Sequence, residues 1–278
     1  MTGNDGARPA TVGRASSDAE GQAPLLRLRG IGKSFGPVRA LTDINLDIPP
    51  GQVTALVGDN GAGKSTMIKT ISGIWEPSQG QLLWQGRTVH FRSPRDATDA
   101  GIATVYQDLA LCDNLDIVQN MMLGHELLSR TRLLDEIAME KTAKRTLADL
   151  RVTTVRNIRQ PVGSLSGGQR QSIAVAKAVL LEARLVIMDE PTAALGVSQT
   201  ALVLDLIKRL ASRGIAVLLI SHNLTDVFEV ADRLAVLYLG RLVTVGPASD
   251  FDTSTAVHWM TTGTGPNGHA APSSIAEG

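Results

Sequence analysis

A single cysteine, very few aromatic residues and no excess of either charge set the first limits on this 278-residue chain. Cys112 has no partner with which to form an intrachain disulfide, which fits a reducing compartment. No motif surrounds it, and it reads as a small apolar filler. Aromatics make up only 3% of the chain, so the core must be built from Leu, Val, Ile and Ala; at 43% hydrophobic there is ample material. Lys+Arg and Asp+Glu balance at 27 each, which argues against a dedicated nucleic-acid binder with its usual basic excess. No apolar stretch approaches the roughly 20 residues of a membrane helix. The longest runs, such as Ile215–Ile220, have the length of buried strands. The N-terminus carries no apolar signal-peptide core. The expectation is a protein kept in the cytosol, whose membrane contact comes through partners.

What is present is one folded unit over about 24–262, without internal repeats, between two small-residue tails at 1–23 and 263–278. Alternating apolar residues in Leu25–Ile31 and Ile44–Ile48 predict strands, and Gln52–Val57 reads as a buried strand after the Pro49-Pro50-Gly51 turn. A helix is expected after Lys64, a hairpin over 81–91 around Gln85-Gly86, and a strand at Ile102–Tyr106. Residues 112–182 change character and become mostly helical; Ala143, Leu147 and Leu150 share one helix face. Strands then return at Leu185–Met188, Ala216–Ile220 and Leu234–Leu239. A helix carrying Val203, Leu206, Ile207 and Leu210 lies among them, stopped by Gly214. Strands apolar throughout and alternating with helices imply an α/β fold, its parallel sheet covered on both faces. The 112–182 block reads as a helical insertion.

The strongest chemical signal is Gly58-Asp59-Asn60-Gly61-Ala62-Gly63-Lys64-Ser65, followed by Thr66: a GxxxxGK[ST] loop between a predicted strand and a predicted helix. Its glycines let backbone wrap a phosphate, and its amides with the helix N-terminus aim positive dipoles at the anion. Lys64 then reaches the terminal phosphates and the Ser65 hydroxyl ligates Mg²⁺. A second signal is the apolar strand 185–188 ending in Asp189-Glu190. Asp189 suits the metal of a Mg²⁺–nucleotide site, and Glu190 the attacking water. Taken alone, this pair equally fits any buried strand that exits into acidic residues; the phosphate loop gives it weight.

Leu165-Ser166-Gly167-Gly168-Gln169-Arg170-Gln171 opens a helix shortly before that carboxylate pair. Here the chain resembles the ATP-binding-cassette ATPases, whose signature is LSGGQ, over nearly all of the folded part. The resemblance implies a P-loop NTPase fold with a RecA-like mixed-sheet core, an antiparallel β subdomain and a helical subdomain at about 112–182. It also implies that Ser166, Gly167, Gly168 and Gln169 cap the γ-phosphate of ATP held by a second copy, so that two subunits sandwich two nucleotides. By the same resemblance Phe35 stacks on adenine, Gln107 touches Mg²⁺ and senses the γ-phosphate, and His222 is the switch histidine at the γ-phosphate. Read without the family, Phe35 is a core residue, Gln107 a solvated loop residue and His222 a capped strand end. One departure stands out: members often carry Asp four residues beyond the Pro-Thr pair, and this chain has Gly196 there.

Tyr106–Leu109, Met122–Glu126 and Pro191–Gly196 resemble the carbohydrate-importer branch, in its shorter single-cassette form associated with monosaccharides. That implies an ATPase at the cytoplasmic face of the membrane, separate permease subunits, and indirectly a periplasmic or extracellular sugar-binding protein. Competing readings are an ATPase subunit for another solute and a soluble cassette acting on nucleic acid or ribosomes. The soluble class usually shows two cassettes, a zinc module or a long coiled coil, none of which is visible in the sequence. The identity of the sugar is not encoded in such a subunit.

Overall fold

The computed structural model describes residues 23–155 and 157–265. The predicted tails lie almost wholly outside the described residues. Chain order is β1 (Leu26–Phe35), β2 (Val38–Ile48), β3 (Val53–Val57), α1 (Lys64–Ile71), β4 (Gln79–Trp84), β5 (Arg87–Val89), α2 (Pro94–Asp99) and β6 (Ile102–Val105). Then come α3 (Ile117–Met122), α4 (Glu136–Asp149), α5 (Gly167–Leu180), β7 (Leu185–Asp189), α6 (Val197–Ser212) and β8 (Ala216–Ile220). The chain closes with α7 (Leu224–Val230), β9 (Arg233–Tyr238), β10 (Arg241–Pro247) and α8 (Thr253–Thr262).

The described strands form two sheets. An antiparallel sheet has the order β2-β1-β4-β5, and a larger one the order β10-β9-β3-β8-β7-β6. Within the larger sheet β9, β3, β8, β7 and β6 run parallel, as their apolar-throughout sequences require, since both faces are covered. Alternate side chains feed two cores. Val186 and Met188 of β7, with Val217 and Leu219 of β8, join the helical block and α6. Leu185 and Ile187, with Leu218 and Ile220, pack toward α1 and the antiparallel sheet. Burying each such side chain is worth roughly 1.5–3 kcal/mol relative to exposure, so this register is strongly specified. A smaller core joins β3 and β9 to Val227 of α7 and to Ala256 and Trp259 of α8.

Most expected elements appear near their expected places. The turn at Gln85-Gly86 closes the β4–β5 hairpin with both residues at positive φ (51° and 77°). Gly214, at φ 84°, ends α6. Two differences matter. The sheet read as parallel carries an antiparallel edge strand, β10, which pairs with β9. β10 is only half-buried and contains Thr and Gly, so it shows no apolar run to betray it. α8 was likewise not expected; it buries only Ala256 and Trp259 and so leaves little periodicity.

The 112–182 block contains α3, α4 and α5. Asp116 caps α3 with a capping box closed by Gln119, and Asp135 caps α4. Arg159 reaches Asp116, Glu136 and Glu140, tying the start of α3 to one face of α4. Hydrogen bonds from Lys144 and then Arg159 hold the Glu140 carboxyl below its usual range. Cys112 is half-buried, and its N–H and C=O both bond the Asn120 side chain, so backbone demands dominate at that position. Gly196 is the N-cap of α6, at φ −74° and ψ 162°, without a side-chain cap. A Cβ added there meets nothing within 4 Å.

Gly196 therefore occupies a site any residue can adopt, and Gly196→Asp supplies a missing helix cap. We expect it to stabilise the chain by about 0.3–0.5 kcal/mol, seen as a rise in the urea midpoint at unchanged slope. A loss of about 1 kcal/mol or more in the same titration overturns this account of α6.

Candidate functional site

Four loops leave the same edge of the parallel sheet. In register, Leu56 of β3 pairs with Ile220 of β8, Ile220 with Asp189 of β7, and Met188 with Val105 of β6. Neighbouring strands lie about 4.8 Å apart. The segments that follow, carrying Gly58–Thr66, His222, Glu190 and Gln107, thus emerge side by side. Carboxyl ends of parallel strands are where open α/β sheets present their ligand sites.

The glycine loop is shaped by close approach. A Cβ on Gly58 would lie 2.4 Å from the Leu237 carbonyl oxygen. One on Gly63, at φ 110°, would lie 2.9 Å from that of Ala40. The loop is therefore clamped between β9 and β2 as well as closed internally, by Ala62 N–H donating to Asp59 O at 3.1 Å. Asn60 N–H donates to Asp59 Oδ1 at 2.7 Å. Gly63 is the N-cap of α1, with no side-chain cap and no acidic residue in the first turn. The amides and the positive end of the helix are left uncompensated, an arrangement that favours an anion. Lys64 folds across the loop: Nζ donates to Gly58 O at 2.6 Å and to Asp59 O at 3.0 Å. Ser65 is exposed and Thr66 half-buried at the same helix start.

Asp189 and Glu190 leave β7 half-buried. Burial, and then the neighbouring Glu190 charge, push the Asp189 carboxyl above its usual range; Lys64 and Lys69 oppose this. A cation brought to this carboxylate relieves both effects. Among the described residues no three His, Cys, Asp or Glu side chains converge as a metal cage. Magnesium carried on a triphosphate takes most of its ligands from phosphate and water and needs only one or two protein carboxylates, a demand that fits Asp189, with the Ser65 hydroxyl and the exposed Gln107 amide as further oxygens.

Glu190 sits at φ 50°, a conformation costing about 1–3 kcal/mol in a non-glycine residue. Its N–H donates to Ile220 O at 2.9 Å, which holds the strained backbone to β8. His222 Nδ1 lies 2.9 Å from Glu190 Oε2. The histidine side chain is 68% exposed and the glutamate 16%, so the carboxylate is sheltered while the imidazole faces outward. This pairing was not expected from sequence.

Ser166 is the N-cap of α5 and is exposed. It forms a capping box: Ser166 N–H donates to Gln169 Oε1 at 2.9 Å and Gln169 N–H to Ser166 Oγ at 3.4 Å. Gln169 Nε2 donates to Thr154 O at 2.7 Å. A Cβ on Gly167 would lie 2.7 Å from Leu195 Cδ2, and one on Gly168 3.0 Å from Gln199 Cβ. The tip of α5 is thus backed by the turn before α6 and by the first turn of α6 itself. Among the described residues, none of these hydrogen bonds reaches the glycine loop of the same chain. The sheet edge gathers 58–66, 107, 189, 190 and 222, whereas Ser166 and Gly167 are exposed at the tip of α5, with Gly168 buried behind them.

Phe35, at the end of β1, is 41% exposed rather than buried in the core. Its ring meets that of Trp75 edge-on, with centroids 4.7 Å apart and planes at 72°. Sequence reasoning had not singled out Trp75. The one available signal was a tryptophan outside any apolar pattern in an aromatic-poor chain.

Against known proteins, the chain matches the ABC transporter family model over residues 41–193. It is 48% identical over 246 residues to the Fructose import ATP-binding protein FrcA of Rhizobium meliloti, covering 86% of this chain and 95% of that protein. It is 46% identical over 219 residues to the Xylose/arabinose import ATP-binding protein XylG of Sulfolobus acidocaldarius, covering 79% and 86%. Among solved structures, a dimeric post-hydrolysis ATP-binding cassette bound to ADP and Pi superposes with a TM-score of 0.66 at 23% identity, covering 80% of this chain and 98% of that one. At that identity the superposition speaks for the fold, and the fold is the ABC cassette. The glycine loop, the α5 tip and the carboxylate strand all fall within residues 41–193, and the protein belongs to the ABC transporter family.

Proposed function

We propose that this chain is the ATP-hydrolysing subunit of an importer for a monosaccharide, working through separate permease subunits. The observation that carries the ATPase reading is the uncompensated start of α1, with Lys64 folded over a glycine loop beside Asp189 and Glu190. The sugar reading rests on relatives named for fructose and for xylose/arabinose import, one of them matched over 95% of its length. The unit over 24–262, with a helical subdomain at about 112–182, is the part assigned to this activity.

The glycine loop and the first amides of α1 grip the phosphates of ATP, and Phe35 takes the adenine. Lys64 turns from the loop carbonyls to the terminal phosphates, where its charge offsets the charge of the transition state. Magnesium bound with the nucleotide would neutralise phosphate charge, and Ser65, Gln107 and Asp189 are the residues to hold it. Glu190 takes the proton of the attacking water on its carboxylate. His222, whose Nδ1 faces Glu190, fixes the direction of that carboxylate and brings its other ring nitrogen to the γ-phosphate end. The products are ADP and phosphate.

Ser166 and Gly167, exposed at the tip of α5, serve a second copy, with Gly168 and Gln169 behind them. Two such chains enclose two ATP molecules, each completing the other's site. The solved cassette bound to ADP and Pi is dimeric, which supports this arrangement. Gly196 carries no carboxylate across that dimer, so coupling there runs through backbone.

Closing and reopening of the dimer drives the permease. Among the described residues no helix is long and apolar enough to cross a membrane; this reading places the chain at the cytoplasmic face, held there by membrane-spanning permease subunits. The segment between α3 and α4 exposes Leu127, Leu128, Leu133 and Leu134, with Ile137 on α4, an apolar surface suited to a permease. A sugar-binding protein outside the cell delivers the cargo indirectly. Nucleic acid has no part in this reading; co-purification with permease subunits supports it, and recovery with ribosomes or DNA sinks it.

Glu190→Gln is expected to bind ATP as the parent does but to hydrolyse it about 10²–10⁴-fold more slowly. Single-turnover hydrolysis checks this, and wild-type turnover would remove Glu190 from its role. Lys64→Ala is expected to lose more than about tenfold in ATP affinity by calorimetry, since the charge-assisted bonds to phosphate go with it. Unchanged affinity counts against the phosphate loop.

A further inference from the structure

The exposed end of the antiparallel sheet, at Phe35, is joined to α1 by contacts that no motif accounts for. α1 starts at the glycine loop and ends two turns later, and Lys69 lies in its last turn. The chain then reverses at Gly73. Both Ile74 N–H and Trp75 N–H donate to Lys69 O, at 2.9 and 3.0 Å. That locks the Trp75 backbone to the helix. The Lys69 ammonium lies 4.7 Å from the Trp75 ring centroid, and the Trp75 ring meets Phe35 edge-on. On the far side, Lys33 Nζ lies 5.2 Å from the Phe35 centroid and donates to Glu76 O at 2.7 Å. Ser78 N–H donates to Gly32 O at 2.8 Å and Ser34 N–H to Ser78 Oγ at 3.2 Å, so residues 76–78 are fastened alongside the end of β1.

The result is a continuous chain of contacts from phosphate loop to Phe35: α1, Lys69, Trp75, Phe35, with Lys33 as the outer brace. Phe35 is otherwise poorly held. It sits at a strand end beside Gly36 and is 41% exposed, so without the indole edge its ring has free rotamers. Edge-to-face aromatic pairs and cation–π contacts supply the orientation that burial does not.

We propose that Trp75 is a positioning residue for the adenine base: it fixes the Phe35 ring relative to the phosphate loop, through α1, so that base and phosphates are gripped at a set separation. The inference rests on the reading of Phe35 as the adenine contact. It assigns to Trp75 the part of ATP affinity that depends on the base and none of the part that depends on phosphate. The chain has three tryptophans, and Trp84 and Trp259 are each only 7% exposed, so Trp75 is also the natural optical reporter of the site.

The test compares wild type, Trp75→Ala and Trp75→Tyr for binding of ATP and of inorganic tripolyphosphate, with KM and kcat for hydrolysis. Trp75→Ala is expected to weaken ATP binding and raise KM by about three- to tenfold, the scale of an aromatic pair. Tripolyphosphate affinity and kcat should stay within about twofold, and Trp75→Tyr should recover most of the loss. In the wild type, ATP should change tryptophan emission while tripolyphosphate does not, a measurement that needs no variant to fold. If Trp75→Ala binds ATP as tightly as wild type, or loses tripolyphosphate in parallel, the inference is overturned while the ATPase reading stands. An emission change equal for the two ligands also overturns it. If wild-type protein binds neither ligand, the ATPase reading falls as well.

Discussion

The site depends on the parallel pairing of β3, β8 and β7. Leu56, Ile220 and Asp189 lie in one row across the sheet, and everything chemical follows within a few residues of that row. A shift of one residue in any of these strands would send the side chains shaped for one core into the other. It would also carry the glycine loop, the carboxylate pair or the histidine out of line. The register is enforced by burial: β3 and β8 are buried along their whole length, and alternate residues fill different cores. Hydrophobic packing thereby sets the positions of charged groups that could not hold one another in place.

With that row fixed, the strained and uncompensated features fall into a pattern. Gly58 and Gly63 keep backbone where a side chain would collide with β9 or β2. Glu190 is held at positive φ by its bond to β8, and its carboxylate is met by His222. The Asp189 carboxyl is raised by burial and by its neighbour. Strain and burial of this kind cost stability in the isolated chain, and on the function proposed above a triphosphate and its cation would relieve or use them. The α5 tip differs: its cap is satisfied internally by Gln169, it leans on Leu195, and Ser166 and Gly167 stand exposed. On the function proposed above, that surface is the one left for a second copy.

Much of this was legible because it is local. The glycine loop, the LSGGQ run and the Asp189-Glu190 exit each occupy a few consecutive residues, and each carries its own strand or helix signal. Gly214 as a helix stop and Gln85-Gly86 as a hairpin turn were legible for the same reason: conformational demands of single residues act over short range. β10 and α8 escaped because an edge strand and a lightly buried end helix need little apolar pattern.

The sequence by itself determined the fold class, the residue types at the sheet edge and the family they belong to, since all of these are written in contiguous segments. Only the tertiary structure decided which distant segments became neighbours: the strand order β3-β8-β7-β6, the Glu190–His222 contact and the Trp75–Phe35 corner. Those contacts join residues 32 and 40 positions apart. Their formation depends on how strands pair and cores fill, which no local periodicity encodes.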